Sequence, residues 1–281
     1  MYMISSREKF WSSTELSDSD EIRDVDLTDD SLGQKVSTDE LRNVLRSKRV
    51  LLLIHGYNSE EDDVVRAYTI IEKMLTSNLG TRTQYDHILG YSWPGGDDPL
   101  DYFAARRKAS AISRRVASWL GVLSEEATAF DIMTHSMGGR VALLALSDPT
   151  MKQPANKPVV RNLFTTAAAV DNESIQYGEK HYTATQACQF FFVFHSRKDP
   201  VLERWYRAAE FDRALGLDGP EDPASIVRHS PNVRVVNCKQ FIEEHGGYKQ
   251  CLPLYDHLGK VLSDQPDANR QYVTLGEAPA A

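Results

Sequence analysis

Long apolar runs are absent from this 281-residue sequence: none approaches the roughly 20 residues that a membrane-spanning helix needs. That argues against a membrane span, and Met1-Tyr2-Met3-Ile4-Ser5-Ser6-Arg7 lacks the basic start and long apolar core of a signal peptide. The expectation is a soluble cytoplasmic protein. Basic charge is also in short supply, with 32 Lys and Arg against 40 Asp and Glu and a net charge of −8. Binding to a phosphate backbone rests on Lys and Arg clusters, so no nucleic-acid partner is expected. Cysteine is scarce. Cys188, Cys238 and Cys251 are an odd number at no metal-ligand spacing, so buried reduced thiols are the default. No His/Asp/Glu spacing suggests a metal either, and no cofactor is expected.

Hydrophobic residues make up 41% of the chain, enough for a sizeable core, and one α/β domain is the preferred reading. Tyr2 to Ser5 suggests an edge strand. Residues 12 to 37 alternate acidic and small polar residues, among them Asp18, Asp20, Asp24, Asp26, Asp29 and Asp30, as a solvated loop or loose hairpin would. From Thr38 the pattern changes: Leu41, Val44 and Leu45 give one apolar helical stripe. Val50 to Ile54 is a continuous apolar run, the signature of a strand buried on both faces of a parallel sheet. His55-Gly56-Tyr57-Asn58 follows, and then Ser59 with Asp62 offers a capping box for the next helix. Asp86 to Ser92 reads as a strand ending at Trp93-Pro94-Gly95-Gly96. A long helix starts near Leu100, and its Arg106, Arg107, Lys108, Arg114 and Arg115 form what is ordinarily a solvated basic face.

Strands follow at Ala129 to Met133, Leu163 to Val170, Gln189 to Phe194 and, last, Val233 to Val236. Between the last two, a helix carries Trp205, Tyr206, Ala209 and Leu215, and Gly219 to Pro231 reads as a loop. A closing helix spans Pro253 to Leu262, and the polar tail from Asp264 to Ala281 is expected to be loosely ordered. The pattern divides into an N-terminal strand and acidic loop at 1–37, an α/β domain at 38–263 and a tail at 264–281. It predicts a doubly wound, mostly parallel sheet with helices on both faces, three layers in all.

Phe130-Asp131-Ile132-Met133-Thr134-His135-Ser136-Met137-Gly138-Gly139-Arg140 organises the rest. An apolar strand stops at a serine and a Gly-rich helix start follows, which is the pattern of a nucleophile elbow, where small residues must stand two positions away on each side. Gly138 meets that demand; Thr134 stands where glycine is usual. A helix N-cap serine is the ordinary alternative. In a doubly wound sheet, ligands bind beyond the carboxyl ends of the strands. His55-Gly56-Tyr57, Trp93, Ser136, Asp171, Asp199 and His245 all follow strand ends, so the fold gathers them on one edge. A serine hydroxyl needs an imidazole to take its proton and a carboxylate to orient that imidazole. The order Ser, Asp, His along the chain supplies both. Backbone N–H groups of Tyr57 and Met137 are placed to receive an oxyanion.

Leu51-Leu52-Leu53-Ile54-His55-Gly56-Tyr57-Asn58, Tyr91-Ser92-Trp93-Pro94 and His135-Ser136-Met137-Gly138 with Arg140-Val141 resemble the H-G-Y-N, S-W-P and H-S-M-G blocks of a bacterial α/β-hydrolase family of largely undefined function. The resemblance covers roughly residues 38 to 263. It implies an esterase-like serine hydrolase fold with Ser136, an acid and a late histidine as triad. Thr134 and the acidic N-terminal stretch depart from the pattern.

For the acid, Asp199 follows the penultimate strand, where the hydrolase fold usually places it; Asp171 is the alternative. For the base, His245 lies in a Gly-containing turn, whereas His257 sits in an amphipathic helix and is the alternative. His55 and His135 are expected to support the active-site turns. Trp93 is expected to line an acyl pocket, with a packed core tryptophan as the rival reading. The function expected is hydrolysis of a small-molecule carboxylic ester or thioester through an acyl-enzyme. The alternative is an interaction or scaffold protein with a weak or dead site, since fold alone does not fix function. Acyl transfer and cofactor-free peroxidase chemistry are lesser options on the same fold.

Overall fold

The computed structural model describes residues 1–11, 13–28, 31–57, 61–78, 84–96, 102–154 and 157–277. Its strands are β1 (Tyr2–Arg7), β2 (Leu16–Asp26), β3 (Ser31–Lys35), β4 (Arg49–Ile54), β5 (His87–Ser92), β6 (Ala129–His135), β7 (Val160–Thr166), β8 (Cys188–His195), β9 (Val233–Asn237) and β10 (Tyr272–Thr274). Its helices are α1 (Thr38–Leu45), α2 (Glu61–Asn78), α3 (Tyr102–Glu126), α4 (Met137–Leu146), α5 (Tyr182–Gln186), α6 (Arg207–Glu210), α7 (Leu215–Asp218), α8 (Pro223–His229) and α9 (Leu252–Leu262). The strands form one sheet in the order β3-β2-β1-β5-β4-β6-β7-β8-β9-β10. The β1–β2 and β2–β3 pairs are antiparallel and the others parallel.

β4 shows why the central strands are apolar throughout. Val50, Leu52 and Ile54 face one core, shared with Leu41 of α1, Ile112 of α3 and Val141 of α4. Leu51 and Leu53 face the other, shared with Val64 of α2 and Leu254 of α9. A strand covered on both faces has no polar side, so alternation disappears. The result is the three-layered, doubly wound sheet that the sequence predicts. Among the described residues no helix is long and apolar enough to cross a membrane.

The ends of the chain differ from expectation. β1 is not an edge strand: it pairs with β5 from Tyr2↔Leu89 to Ser5↔Ser92, and with β2 on its other side. Of the two readings of the acidic stretch, the hairpin holds and the solvated loop does not: β2 and β3 pair antiparallel, and only β3 is exposed throughout. Asp20 accepts hydrogen bonds from Arg115 (3.2 Å), the Trp119 indole (2.7 Å) and the Ser6 hydroxyl (2.8 Å). Arg115 and Lys108 also donate to the carbonyls of Ser17 and Thr14, each at 2.6 Å. Two of the five basic residues of α3, Lys108 and Arg115, therefore seat the N-terminal segment, while Arg107 and Arg114 are exposed as a solvated face would have them.

At the other end, β10 pairs with β9 from Tyr272↔Val235 to Thr274↔Asn237, so β9 is not the last strand and the tail is tied into the sheet. Gly219 to Pro231 holds α8, whose N-cap Asp222 accepts from the N–H groups of Ala224 (2.9 Å) and Ser225 (3.1 Å), with Pro223 in the first turn. The expected helix from Trp205 to Leu215 is broken: a π-helical turn at Leu202–Tyr206 runs into α6, which stops at Phe211 with φ 58°, and α7 starts anew. β7 ends at Thr166, short of the expected Val170. The Ser59–Asp62 capping box and a helix start at Leu100 lie outside the described residues. All three cysteines are buried and unbridged.

Candidate active site

β6 ends at His135 and α4 starts at Met137, so Ser136 alone turns the chain. Its φ of 54° and ψ of −122° lie in a region that costs an L-residue about 1–3 kcal/mol. Backbone bonds hold it there: Ser136 N–H donates to Thr166 O at 2.9 Å, and its carbonyl accepts from Gly139 (3.0 Å) and Ala169 (3.2 Å). The side chain makes no capping bond to α4, so the ordinary role of a serine at a helix start does not account for it. Gly138 is demanded by sterics, since a β-carbon there would meet Ile54 O at 2.4 Å and His55 O at 2.5 Å. Thr134, in the other small position, is buried, and its hydroxyl has no partner among the described residues.

Asp199, past the end of β8, is wholly buried. Its Oδ1 accepts from the N–H groups of Val201 (3.0 Å) and Leu202 (3.1 Å), and its Oδ2 lies 2.7 Å from His245 Nδ1. An ionised carboxylate only accepts, so Nδ1 carries the imidazole proton and Nε2 is left as a base. His245 is held to the elbow by His135, whose Nε2 donates to His245 O at 2.8 Å, with ring centroids 4.7 Å apart. Ser136 Oγ takes no hydrogen bond among the described residues, and the residue is 7% exposed. Asp199 and His245 are thus already paired, while the serine hydroxyl is uncommitted.

The other expected residues divide clearly. Asp171 does not meet His245; its Oδ1 accepts from Tyr206 OH at 2.5 Å, and its backbone bridges to Ala214. His257 lies on α9, buried edge-on to Phe194 at 6.1 Å, where desolvation lowers its pKa to about 4. Trp93 does not line a pocket: it is fully buried, stacked on His55 at 5.6 Å, with its indole N–H donating to His55 O at 2.9 Å. Tyr57 follows β4, its ring edge-on to Tyr102 at 5.9 Å, and Met137 occupies the first position of α4, where a backbone N–H has no intrahelical acceptor.

Burial keeps the supporting rings neutral. Desolvation lowers His55 to about 3, helped by the Arg7 charge, and takes His135 well below its ordinary value, with the neighbouring His245 adding to the effect. One network went unforeseen. Arg140, one turn into α4 and buried, donates to Ala169 O (3.1 Å) and Glu210 Oε1 (3.0 Å), and Glu210 also accepts from Tyr102 OH (2.8 Å) and Arg106 (2.6 Å). This carboxylate clasps α3, α4 and α6 around the elbow. Its partners are remote in sequence, so no local pattern announces them; the arginine next to the Gly-Gly start is the single hint. A cavity of about 690 Å³ runs along β9 and β10, between His195, His257 and Tyr272, and none of Ser136, Asp199 and His245 lines it.

A strained serine between strand and helix, at the carboxyl end of a mostly parallel sheet whose later strand ends carry a hydrogen-bonded Asp–His pair, is the arrangement of the α/β-hydrolase class. The chain belongs to the family described as alpha/beta hydrolase of unknown function (DUF900), whose model matches residues 28–237. The match takes in Ser136 and Asp199 and ends before His245. Similar solved structures include the Pyrococcus furiosus esterase Pf2001, 14% identical over 78% of this chain and 83% of that one, with a TM-score of 0.43. Another is the Pyrococcus horikoshii acylaminoacyl peptidase, 10% identical over 92% of this chain and 35% of that one, with a TM-score of 0.25. No curated protein matches the chain.

Proposed function

We propose that the protein is a serine hydrolase that cleaves a carboxylic ester or thioester through an acyl-enzyme, with Ser136 as nucleophile, His245 as base and Asp199 as its orienting acid. The observation that carries this reading is the 2.7 Å contact between Asp199 Oδ2 and His245 Nδ1, held against an elbow whose serine caps nothing. As Ser136 Oγ attacks the acyl carbon, its proton passes to His245 Nε2, and the carbonyl electron pair moves onto oxygen. The N–H groups of Tyr57 and Met137 receive that oxyanion. When the tetrahedral intermediate collapses, the bond to the leaving alcohol or thiol breaks and His245 returns the proton to it. Water then repeats the cycle on the acyl-serine. Transfer of the acyl group to an alcohol uses the same groups. No membrane or nucleic-acid partner is needed.

The test is labelling with a fluorophosphonate followed by mass spectrometry of the adduct, alongside a screen of short- and long-chain acyl esters. The label is expected on Ser136, and Ser136→Ala is expected to lose on the order of 10⁶-fold in turnover. Ester turnover with the label on another serine, or with none, defeats the assignment.

A further inference from the structure

The mechanism leaves His55 and Trp93 without a part, although both are locked into the turn that carries Tyr57. The Trp93 backbone N–H donates to His55 Nε2 at 3.0 Å, so that nitrogen holds a lone pair. In a neutral imidazole the proton is then on Nδ1, which lies 2.9 Å from the carbonyl oxygen of Gly56. Gly56 C=O and Tyr57 N–H belong to one planar trans peptide and point in opposite directions. A bond that fixes the carbonyl therefore fixes the N–H.

The surroundings leave this peptide little room. A β-carbon on Gly56 would stand 3.0 Å from Ser136 Cβ and 3.1 Å from His135 O, and one on Gly95 would stand 3.0 Å from Gly56 O. His55 itself is braced from three sides. Its N–H donates to Tyr68 OH at 3.1 Å, its carbonyl accepts the Trp93 indole N–H at 2.9 Å, and its ring stacks on the indole with 12° between the planes.

We propose that His55 is a positioning residue for the oxyanion hole: its Nδ1–H, donated to Gly56 O, sets the Gly56–Tyr57 peptide so that Tyr57 N–H aims at the substrate oxygen as charge develops on it, and Trp93 holds the imidazole in the required tautomer and place. This rests on the serine hydrolase reading. It differs from simple packing because the aim of one N–H matters in the transition state and hardly at all in substrate binding.

The experiment compares wild type with His55→Phe, His55→Asn and Trp93→Phe in ester hydrolysis and in inhibition by a trifluoromethyl ketone, which forms an oxyanion on the serine. His55→Phe keeps a ring and loses both hydrogen bonds; kcat is expected to fall about 10²-fold with KM nearly unchanged, and ketone affinity to fall in step with kcat/KM. His55→Asn, which retains a donor, is expected to recover part of the loss. Trp93→Phe keeps the backbone bond to Nε2 and covers the case in which the His55 variants do not fold; kcat and ketone affinity are expected to fall together, by less. Imidazole ¹⁵N shifts of the wild type are expected to show His55 protonated at Nδ1. The proposal is overturned if folded variants keep their ketone affinity, or if Nδ1 carries no proton. Should the wild type hydrolyse no ester and take no phosphonate on Ser136, the parent reading fails and this one with it, whatever the ring spectrum shows.

Discussion

Asp171 and Asp199 carry the same carboxylate past the ends of adjacent strands, and only their neighbours separate them. Asp199 faces an imidazole, and Asp171 faces the Tyr206 hydroxyl. Asp199→Asn keeps the volume but offers His245 Nδ1 either an amide or a neutral carbonyl, which favours the wrong tautomer; turnover is expected to fall about 10⁴-fold near neutral pH. Asp171→Asn still offers Tyr206 a carbonyl oxygen and is expected to cost far less. Steady-state kinetics with melting curves for both variants make the comparison, and a crippled Asp171→Asn beside a near-normal Asp199→Asn reverses the assignment of the acid. The turns past strand ends that carry Ser136, Asp199 and His245 were legible because a turn after a strand is a local feature. Trp93 was not legible as a brace. Its flanking Pro94, Gly95 and Gly96 have the composition of an exposed turn, and only the stacked His55 shows that the indole is inside.

At the scale of elements, the acidic hairpin is where sequence periodicity gives out. Leu16–Asp26 buries little apolar surface, with Ile22 and Val25 the buried positions, and much of what holds it lies in polar bonds to a helix some 95 residues further on. Such partners leave no local pattern, so acids and bases that neutralise each other read as two solvated faces. Asp20→Ala removes the acceptor of Arg115, Trp119 and Ser6 at a side chain 7% exposed, and is expected to destabilise by about 1–3 kcal/mol, lowering the melting temperature. Asp18→Ala, on an exposed side chain of the same strand, is expected to stay within about 0.5 kcal/mol of wild type. Equal melting temperatures for the two variants count against a docked hairpin. β10 escaped notice for a related reason: three residues are too few for an alternation, and its register comes from β9. The central strands were legible because burial on both faces writes itself into consecutive residues.

For the whole molecule, the histidines tie stability to pH. Burial lowers His55 and His181 to about 3 and His257 to about 4, and shifts His87, His135 and His195 in the same direction. In the unfolded chain these rings titrate near pH 6.5. Between about 6.5 and 3–4 the unfolded state binds more protons than the folded one, so the stability from neutral burial is fully present above about pH 6.5 and is lost as pH falls towards the folded values. Melting temperature is accordingly expected to decline from about pH 6.5 downward, well before the carboxylates begin to protonate. His257 offers a clean probe because it stands apart from the elbow, on α9 against Phe194. Below pH 6 its share approaches about 1.4 kcal/mol for each unit of pH. His257→Gln removes that proton, so the decline between pH 6.5 and 4 is expected to flatten by this amount while ester turnover at pH 7 is kept. Thermal unfolding across the pH range gives the slopes, and an unchanged slope in a folded His257→Gln protein means that this ring is already protonated in the native state.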